Sequence, residues 1–487
     1  MTSLVLKGGR VVDPGSGLDE VTDLRVDRGK VAAVGPDLEG DRVLDVSGLV
    51  VGPGFVDLHS HVHSIAGQRL QAFDGVTTAL DLEAGLMPVG QAYDRAAAEG
   101  RPLHYGFSAS WGQARAKVLA GIEPVADFAT CLGQVSLPAW QRTSSLPERD
   151  AWLALLRGEL EQGALGIGVL MGYAPRTDPA EYVAVARLAA EAGVPTFTHV
   201  RELVESDPTT PIDGSSEVAV VAAETGAHMH HCHVNSTSRR HIDRVLTTLA
   251  TARAEGARVT VEAYPYGAGS TSVGAYFLAP ERLGSWGMTP SSIVLLPSGE
   301  RVADERRLRQ VRAESPATEC IVEFLDETAP SDVALLEQAL LFPDTVVASD
   351  AMPVILRDGS FARDEWPLPP AATHPRTAGT FSKALRMMVR EGGAWSWLEA
   401  FRRCSYLPAR VLDFAPAAHG KGHLGVGADA DVVVLDPGRV TDAATYLAPT
   451  TPSVGVRHLL VAGTAVIRDG ELLTDALPGR PVRAEPA

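Results

Sequence analysis

Cysteine is scarce. Cys131, Cys232, Cys320 and Cys404 are the only four in 487 residues, widely scattered and without a CxxC pair. They offer no disulfide framework and suit a reducing compartment. Long apolar runs are missing too: no eighteen-residue hydrophobic segment occurs, and Met1 to Lys7 shows no basic stretch leading into one. Neither a membrane span nor a secretory leader is therefore expected, and the expected location is the cytoplasm. Positive charge is in deficit, with 43 Lys and Arg against 60 Asp and Glu, a net −17 and a pI near 5.3. That balance argues against nucleic acid and anionic membrane as partners, and an anionic substrate would need arginines placed locally. No GxGxxG follows an early strand, so a dinucleotide-binding doubly wound sheet has no support. Internal repeats and low-complexity tracts are absent as well.

What is present is a globular composition, 45% hydrophobic, in a chain long enough to bury a substantial core. Residues 1–53 carry short apolar bursts broken by Asp13-Pro14-Gly15 and Gly35-Pro36-Asp37, a run of short antiparallel strands. The same texture returns near the C-terminus, at Ala430 to Asp436, His458 to Val461 and Thr464 to Ile467. The two ends, 1–53 and 416–487, are therefore expected to assemble one small β-domain. Between them, over 54–415, apolar runs alternate with helical spacing. Strands are expected at Val76 to Leu82, Ala164 to Val169, Pro195 to His199, Ala227 to His233, Val259 to Ala263 and Thr345 to Asp350. Helices are expected at Ala180 to Ala192, Ile242 to Glu255 and Val333 to Leu341. Such repetition predicts an α/β fold with a parallel sheet, most economically a closed (β/α)8 barrel, with an insertion or lid around 285–330.

Barrel chemistry sits at the carboxyl ends of strands. The stretch Gly54 to His61 ends in two histidines one residue apart, and i, i+2 side chains of a strand share a face, so His59 and His61 can serve one metal ion. Glu83, His199, His233 and Asp350 end other expected strands. Zinc accepts imidazole and carboxylate alike, and six donors exceed one tetrahedral shell, which allows one or two ions. Glu83 is the natural bridge, with Asp81 the competing choice. Asp350 is the expected base beside a metal-activated water. His63, His228, His230 and His231 are expected to be structural, and Cys232 to be packed.

These residues carry a resemblance to the amidohydrolase superfamily, and within it to the D-aminoacylase (N-acyl-D-amino-acid deacylase) family, over nearly the whole chain. The matching pieces are GFVDLHSH (54–61), DGVTTALDLEAG (74–85), GALGIGVLMGYAP (163–175), THVRE (198–202), HCHVNS (231–236), EAYPYGAGST (262–271), ASD (348–350), THPRTAGTF (373–381) and GVGADADVVVLDP (425–437). The resemblance implies a metal-bearing (β/α)8 barrel with a β-sandwich built from both termini. It implies one metal position at His59, His61 and Asp350 and another at His199 and His233. Two departures stand out. Ala84 occupies the place of the family's ligand cysteine, which makes Glu83 the substitute and is similar to the N-acyl-D-glutamate deacylase branch. No lysine lies between Ala164 and Tyr173 to act as the carboxylated bridge of other superfamily members.

Asn235 stands where the family carries a lysine that holds the substrate carboxylate, so the clamp must come from elsewhere. Arg376 is the first candidate and Arg201 the second, since a guanidinium grips a carboxylate with two parallel hydrogen bonds. Tyr173 resembles the family's substrate-contacting tyrosine, and His374 and Asn235 are further candidate contacts. The expected function is zinc-dependent hydrolysis of a small molecule, an N-acyl-D-amino acid such as N-acyl-D-glutamate. The rivals are a cyclic amide or imide hydrolase of the dihydroorotase and hydantoinase type, and a non-catalytic barrel scaffold. The oligomeric state, a homo-oligomer included, is left open.

Overall fold

The structure is a computed structural model and describes residues 3–296 and 298–485. Eight strands form one sheet whose spatial order follows chain order: β1 (Phe55–Asp57), β2 (Val76–Leu86), β3 (His104–Ser110), β4 (Ile167–Leu170), β5 (Thr196–His199), β6 (Met229–His231), β7 (Val259–Ala263) and β8 (Thr345–Val347). Neighbours run parallel, as β4, β5, β6 and β7 do, and helices fill the connections. This is the expected (β/α)8 barrel, nearly closed. At the closing edge, Ser60 bridges Ala351 and the His61 N–H donates to the Ala351 carbonyl at 2.8 Å.

Local sequence explains the elements. All eleven residues of β2 are buried, Asp81 and Glu83 among them, because a barrel strand is covered on both faces. Asp213 accepts the Ser216 N–H and starts the helix Gly214–Thr225, and Gly226, at φ +70°, ends it in the left-handed conformation that glycine adopts without a Cβ penalty. The helices expected at 180–192, 242–255 and 333–341 are found at Pro179–Glu191, Ile242–Ala254 and Pro330–Leu341.

The chain divides into two compact units. The first contains residues up to Leu80, Arg95–Gly106 and Val346–Val482. It holds a nine-stranded sheet in which the two ends of the chain meet, Val432–Leu435 pairing antiparallel with Val50–Pro53. A buried charge network sits here, with Lys421 Nζ 2.8 Å from Asp431 and 3.1 Å from Asp429, and His104 Nε2 3.0 Å from Asp431.

The second unit is built from Asp81–Asp94, Phe107–Thr345 and the residues from Arg483 on. It carries the insertion, a four-stranded sheet of Ala268–Ser272, Glu319–Glu323, Ile293–Leu295 and Glu300–Arg301. The insertion begins at Ala268, earlier than the expected 285, because the polar run Gly267 to Ser272 has no apolar alternation to mark it as a strand. Within it, Glu319 pairs in register with Ser272. Glu319 is 7% exposed, and none of the described residues donates to its Oε2.

Burial pushes the Glu319 carboxyl up from its ordinary 4.5 to about 8. The native state then binds a proton that the unfolded chain has released, so the contribution to stability is complete below about pH 4.5 and is lost as pH rises through 8. Glu319→Gln should leave the melting temperature almost unchanged at pH 5 and raise it above wild type at pH 8, by on the order of a few kcal/mol of unfolding free energy. Calorimetric melts of both proteins across this range would check it, and equal shifts at both pH values would refute it.

Candidate metal centre

In the first unit, β1 stops at Asp57, two residues short of the first histidine, so His59 and His61 do not sit on a regular strand as expected. The backbone nonetheless stays extended. Ser60 donates to the Leu80 carbonyl at 2.8 Å on one side and His61 to Ala351 on the other. Alternation therefore survives, and the two rings meet at 84° with their Nε2 atoms 3.1 Å apart. Asp350 Oδ1 lies 3.4 Å from His59 Nε2 and 3.6 Å from His61 Nε2. A tetrahedral zinc with bonds near 2.0–2.1 Å holds its ligand atoms roughly 3.3 Å apart, so these three atoms fit such an ion.

Asp350 reaches its place by an uncommon backbone conformation, φ +50°, three residues beyond the end of β8. Asp57 fixes that approach. It accepts the Ser349 N–H at 2.9 Å, the Ser349 hydroxyl, the Gln71 amide at 3.1 Å and the His59 N–H at 3.2 Å. Complete burial pushes its carboxyl up to about 7, against the pull of the Ser349 bonds. Sequence reasoning passed over Asp57. Its signal was a charged residue inside the apolar run that leads to the histidines.

Arg376 is fully buried, with Nη2 2.9 Å from Asp350 Oδ1. The residue expected to clamp a substrate is thus a partner of the expected base. His374 Nδ1 accepts the Arg376 N–H at 3.0 Å at the start of the helix Arg376–Leu385, and its ring meets Tyr446 edge-on.

In the second unit, Glu83 Oε1 lies 3.0 Å from His199 Nδ1 and 2.8 Å from His233 Nε2. These three donor atoms also converge at ligand spacing. His199 is the last residue of β5. His233 is not at a strand end, since β6 stops at His231. It adopts φ +32° instead, and its N–H donates to Glu262 Oε1 at 3.2 Å. Its Nδ1 lies 3.0 Å from the Ser236 hydroxyl, which turns Nε2 toward Glu83. Backbone approach is close throughout. A Cβ on Gly172 would stand 2.5 Å from His199 Cδ2, and one on Gly168 would stand 2.3 Å from the Glu83 carbonyl oxygen. Of the two carboxylates weighed as bridge, Asp81 receives the Gly85 N–H at 3.3 Å, and Glu83 is the one that meets both histidines.

Two of the expected substrate contacts have other partners here. Arg201 is buried and engaged: Nε and Nη2 each donate to Glu217 at 2.9 Å, and Nη1 donates to the carbonyls of Pro175 and Thr177. It is a structural clamp and presents no fork to a substrate. Asn235 accepts the Tyr264 N–H at 3.2 Å and donates to the Tyr266 carbonyl at 3.4 Å, so it ties the turn after β6 to the end of β7. Tyr173 keeps a place beside the donors. Its ring centroid is 4.8 Å from that of His199, and its hydroxyl is 2.8 Å from the Thr271 hydroxyl of the insertion. Thr271 and Phe277 were not legible as neighbours of the donors. His228, His230 and His231 bond to Thr260, Glu262 and Ser215, the structural roles expected of them. Burial holds the His228 and His231 imidazoles down to about 3.

Residues 42–467 match the model of the amidohydrolase family. The chain belongs to that family. This amidohydrolase is 29% identical to an N-acyl-D-glutamate deacylase of Alcaligenes xylosoxydans xylosoxydans, over 95% of this chain and 93% of the relative. It is 30% identical to a D-aminoacylase of the same organism, over 95% and 94% of the two chains. A crystal structure of N-acyl-D-glutamate deacylase from Bordetella bronchiseptica, complexed with zinc and a phosphonate inhibitor that mimics the tetrahedral intermediate, superposes with a TM-score of 0.77 at 25% identity, covering 99% of both chains. The amidohydrolase is an enzyme, and among its described residues no helix is long and apolar enough to cross a membrane.

If Arg201 is structural, Arg201→Gln should lower unfolding free energy by about 3–5 kcal/mol, because Glu217 is left buried and unpaired. Urea unfolding would measure this. Wild-type stability together with a raised KM would instead restore the substrate role.

Proposed function

We propose that this amidohydrolase cleaves the amide bond of N-acyl-D-amino acids, giving a carboxylate and the free D-amino acid, with N-acyl-D-glutamate the first candidate substrate. The observation that carries the reading is the pair of donor triads, His59, His61 and Asp350 in one unit and Glu83, His199 and His233 in the other, each spaced as ligands of a divalent ion are. The family relatives named above support the amide chemistry, and Glu83 in place of the ligand cysteine supports the glutamate branch. Zinc is the ion proposed, in one or both positions. Bound there, it would polarise the amide carbonyl and lower the pKa of water.

The chain's own residues do the rest. Asp350 takes the proton of the attacking water and returns it to the departing amide nitrogen. Arg376, 2.9 Å from Asp350, positions that carboxylate by a charge-assisted hydrogen bond, and His374 orders the helix end from which Arg376 projects. Tyr173, its hydroxyl oriented by Thr271, contacts the substrate carboxylate or carbonyl. A cytoplasmic location and a small-molecule partner are part of the same proposal.

Asp350→Asn should reduce kcat by about 10²–10⁴-fold while zinc at Glu83, His199 and His233 is retained. Metal analysis beside the rate assay would read both, and turnover near wild type would remove Asp350 as base. A screen of N-acetyl-D-glutamate, other N-acyl-D and N-acyl-L amino acids, hydantoin and dihydroorotate should give turnover with the N-acyl-D compounds alone, lost on chelation and regained with zinc. Hydrolysis of the cyclic amides in their place would overturn the proposal.

A further inference from the structure

Four planar groups stack in register inside the second unit. The Arg239 guanidinium lies over the Trp286 ring with Cζ 3.4 Å from its centroid. Trp286 stacks on Phe277 at 5.1 Å and 12°. Phe277 in turn stacks on His199 at 5.8 Å and 10°. Phe277 and Trp286 belong to short 3₁₀ turns of the insertion, Tyr276–Leu278 and Gly284–Trp286, whereas His199 ends a barrel strand.

Each end of the stack is anchored. Arg239 adopts φ +49° and sends Nη2 to the Ser206 hydroxyl at 2.5 Å, with Glu202 at 3.5 Å. The insertion is tied to the same loop by Ser285, which donates to the Ser206 carbonyl, and by Arg282, 2.6 Å from Asp207. At the other end, the His199 ring has Phe277 parallel to its plane, the Gly172 backbone against its Cδ2 edge and Glu83 at Nδ1. Tilting such an imidazole out of its plane disturbs its stacking on Phe277, and moving Phe277 away disturbs its stacking on Trp286, which Arg239 covers from the far side.

We propose that the Arg239–Trp286–Phe277 stack positions the His199 imidazole, so that metal affinity depends on rings of the insertion that lie outside the donor set. The inference rests on the proposed role of His199 as a ligand. Metal loading and docking of the insertion become linked in consequence: an ion that fixes His199 favours the stacked arrangement, and the stack favours the ion by the same factor. Phe277 and Trp286 are positioning residues in this scheme, acting through His199.

The test measures zinc dissociation constants of the full-length protein by competition with a chromophoric chelator, and the visible spectrum of the cobalt form. Wild type, His199→Ala, Trp286→Leu and Trp286→Phe are compared. Trp286→Leu should weaken zinc about tenfold and alter the cobalt bands, while Trp286→Phe, which keeps a planar ring in the stack, should stay near wild type. Near-UV circular dichroism of the metal-free proteins controls for folding. Should Trp286→Leu lose that signal, Arg239→Gln takes its place, with the same weakening expected. Wild-type affinity and an unchanged cobalt spectrum in the substituted protein, while His199→Ala loses zinc, would overturn the positioning role alone. Zinc uptake by wild type no greater than by His199→Ala would overturn the ligand reading and this inference with it.

Discussion

A buried carboxylate destabilises the fold unless donors surround it, and the ends of the barrel strands are arranged around that constraint. Asp57, wholly removed from water, draws four donors onto itself, and those donors belong to the backbone and side chains that lead to His59 and Asp350. Glu262 does the same near the end of β7, taking the His233 N–H and lying 3.0 Å from His230 Nε2. Glu217 holds Arg201 and, through it, the carbonyls of Pro175 and Thr177 in the loop after β4. In each case the group that would be most unfavourable to bury alone orients a loop bearing a donor or its neighbour. Polar satisfaction and site geometry are one problem here, and the left-handed residues Asp350 and His233 persist because these bonds over-determine them.

The barrel and three of its helices were legible because buried strands leave short apolar runs and helical spacing leaves its own period. The donors were legible for a reason that proved incomplete. His59 and His61 do converge, but through hydrogen bonds to Leu80 and Ala351 that no local pattern encodes, since the regular strand has already ended. Likewise His233 faces Glu83 after a left-handed residue rather than at the end of a strand. Partners brought in from far along the chain were out of reach. Nothing in THVRE announces that Arg201 meets Glu217, and nothing in HCHVNS announces that Asn235 meets Tyr264 and Tyr266, so both looked available for substrate. The insertion was opaque for the opposite reason: its strands are short and polar, and Thr271 and Phe277 carry no signal until the fold sets them beside Tyr173 and His199.

In the proposed site, a glutamate beside the place of the family's ligand cysteine would change more than one atom. Glu83 has a longer, more flexible side chain than cysteine, so its position must be imposed from outside. Gly168 and Gly172, at positions where any Cβ would collide with Glu83 backbone or His199, bring β4 and the turn after it close enough to impose it. Tyr173, from the turn after β4, and Phe277, from the insertion, then pack His199. If Glu83 is the ligand proposed, this aromatic packing would stand in for rigidity that a short thiolate has intrinsically.

The charge balance sharpens what such a site must do with an anionic substrate. The protein carries a net −17, and four of its buried arginines each face a carboxylate: Arg376 faces Asp350, Arg201 faces Glu217, Arg239 faces Glu202 and Arg115 faces Glu181. Attraction for a substrate carboxylate therefore has to come from elsewhere. A divalent ion held by one carboxylate and two neutral imidazoles keeps a net positive charge in a place where water is largely excluded, and there its field is weakly screened. On this reasoning the proposed ion has a second task besides activating water: it supplies the positive field that the arginines, already neutralised, do not.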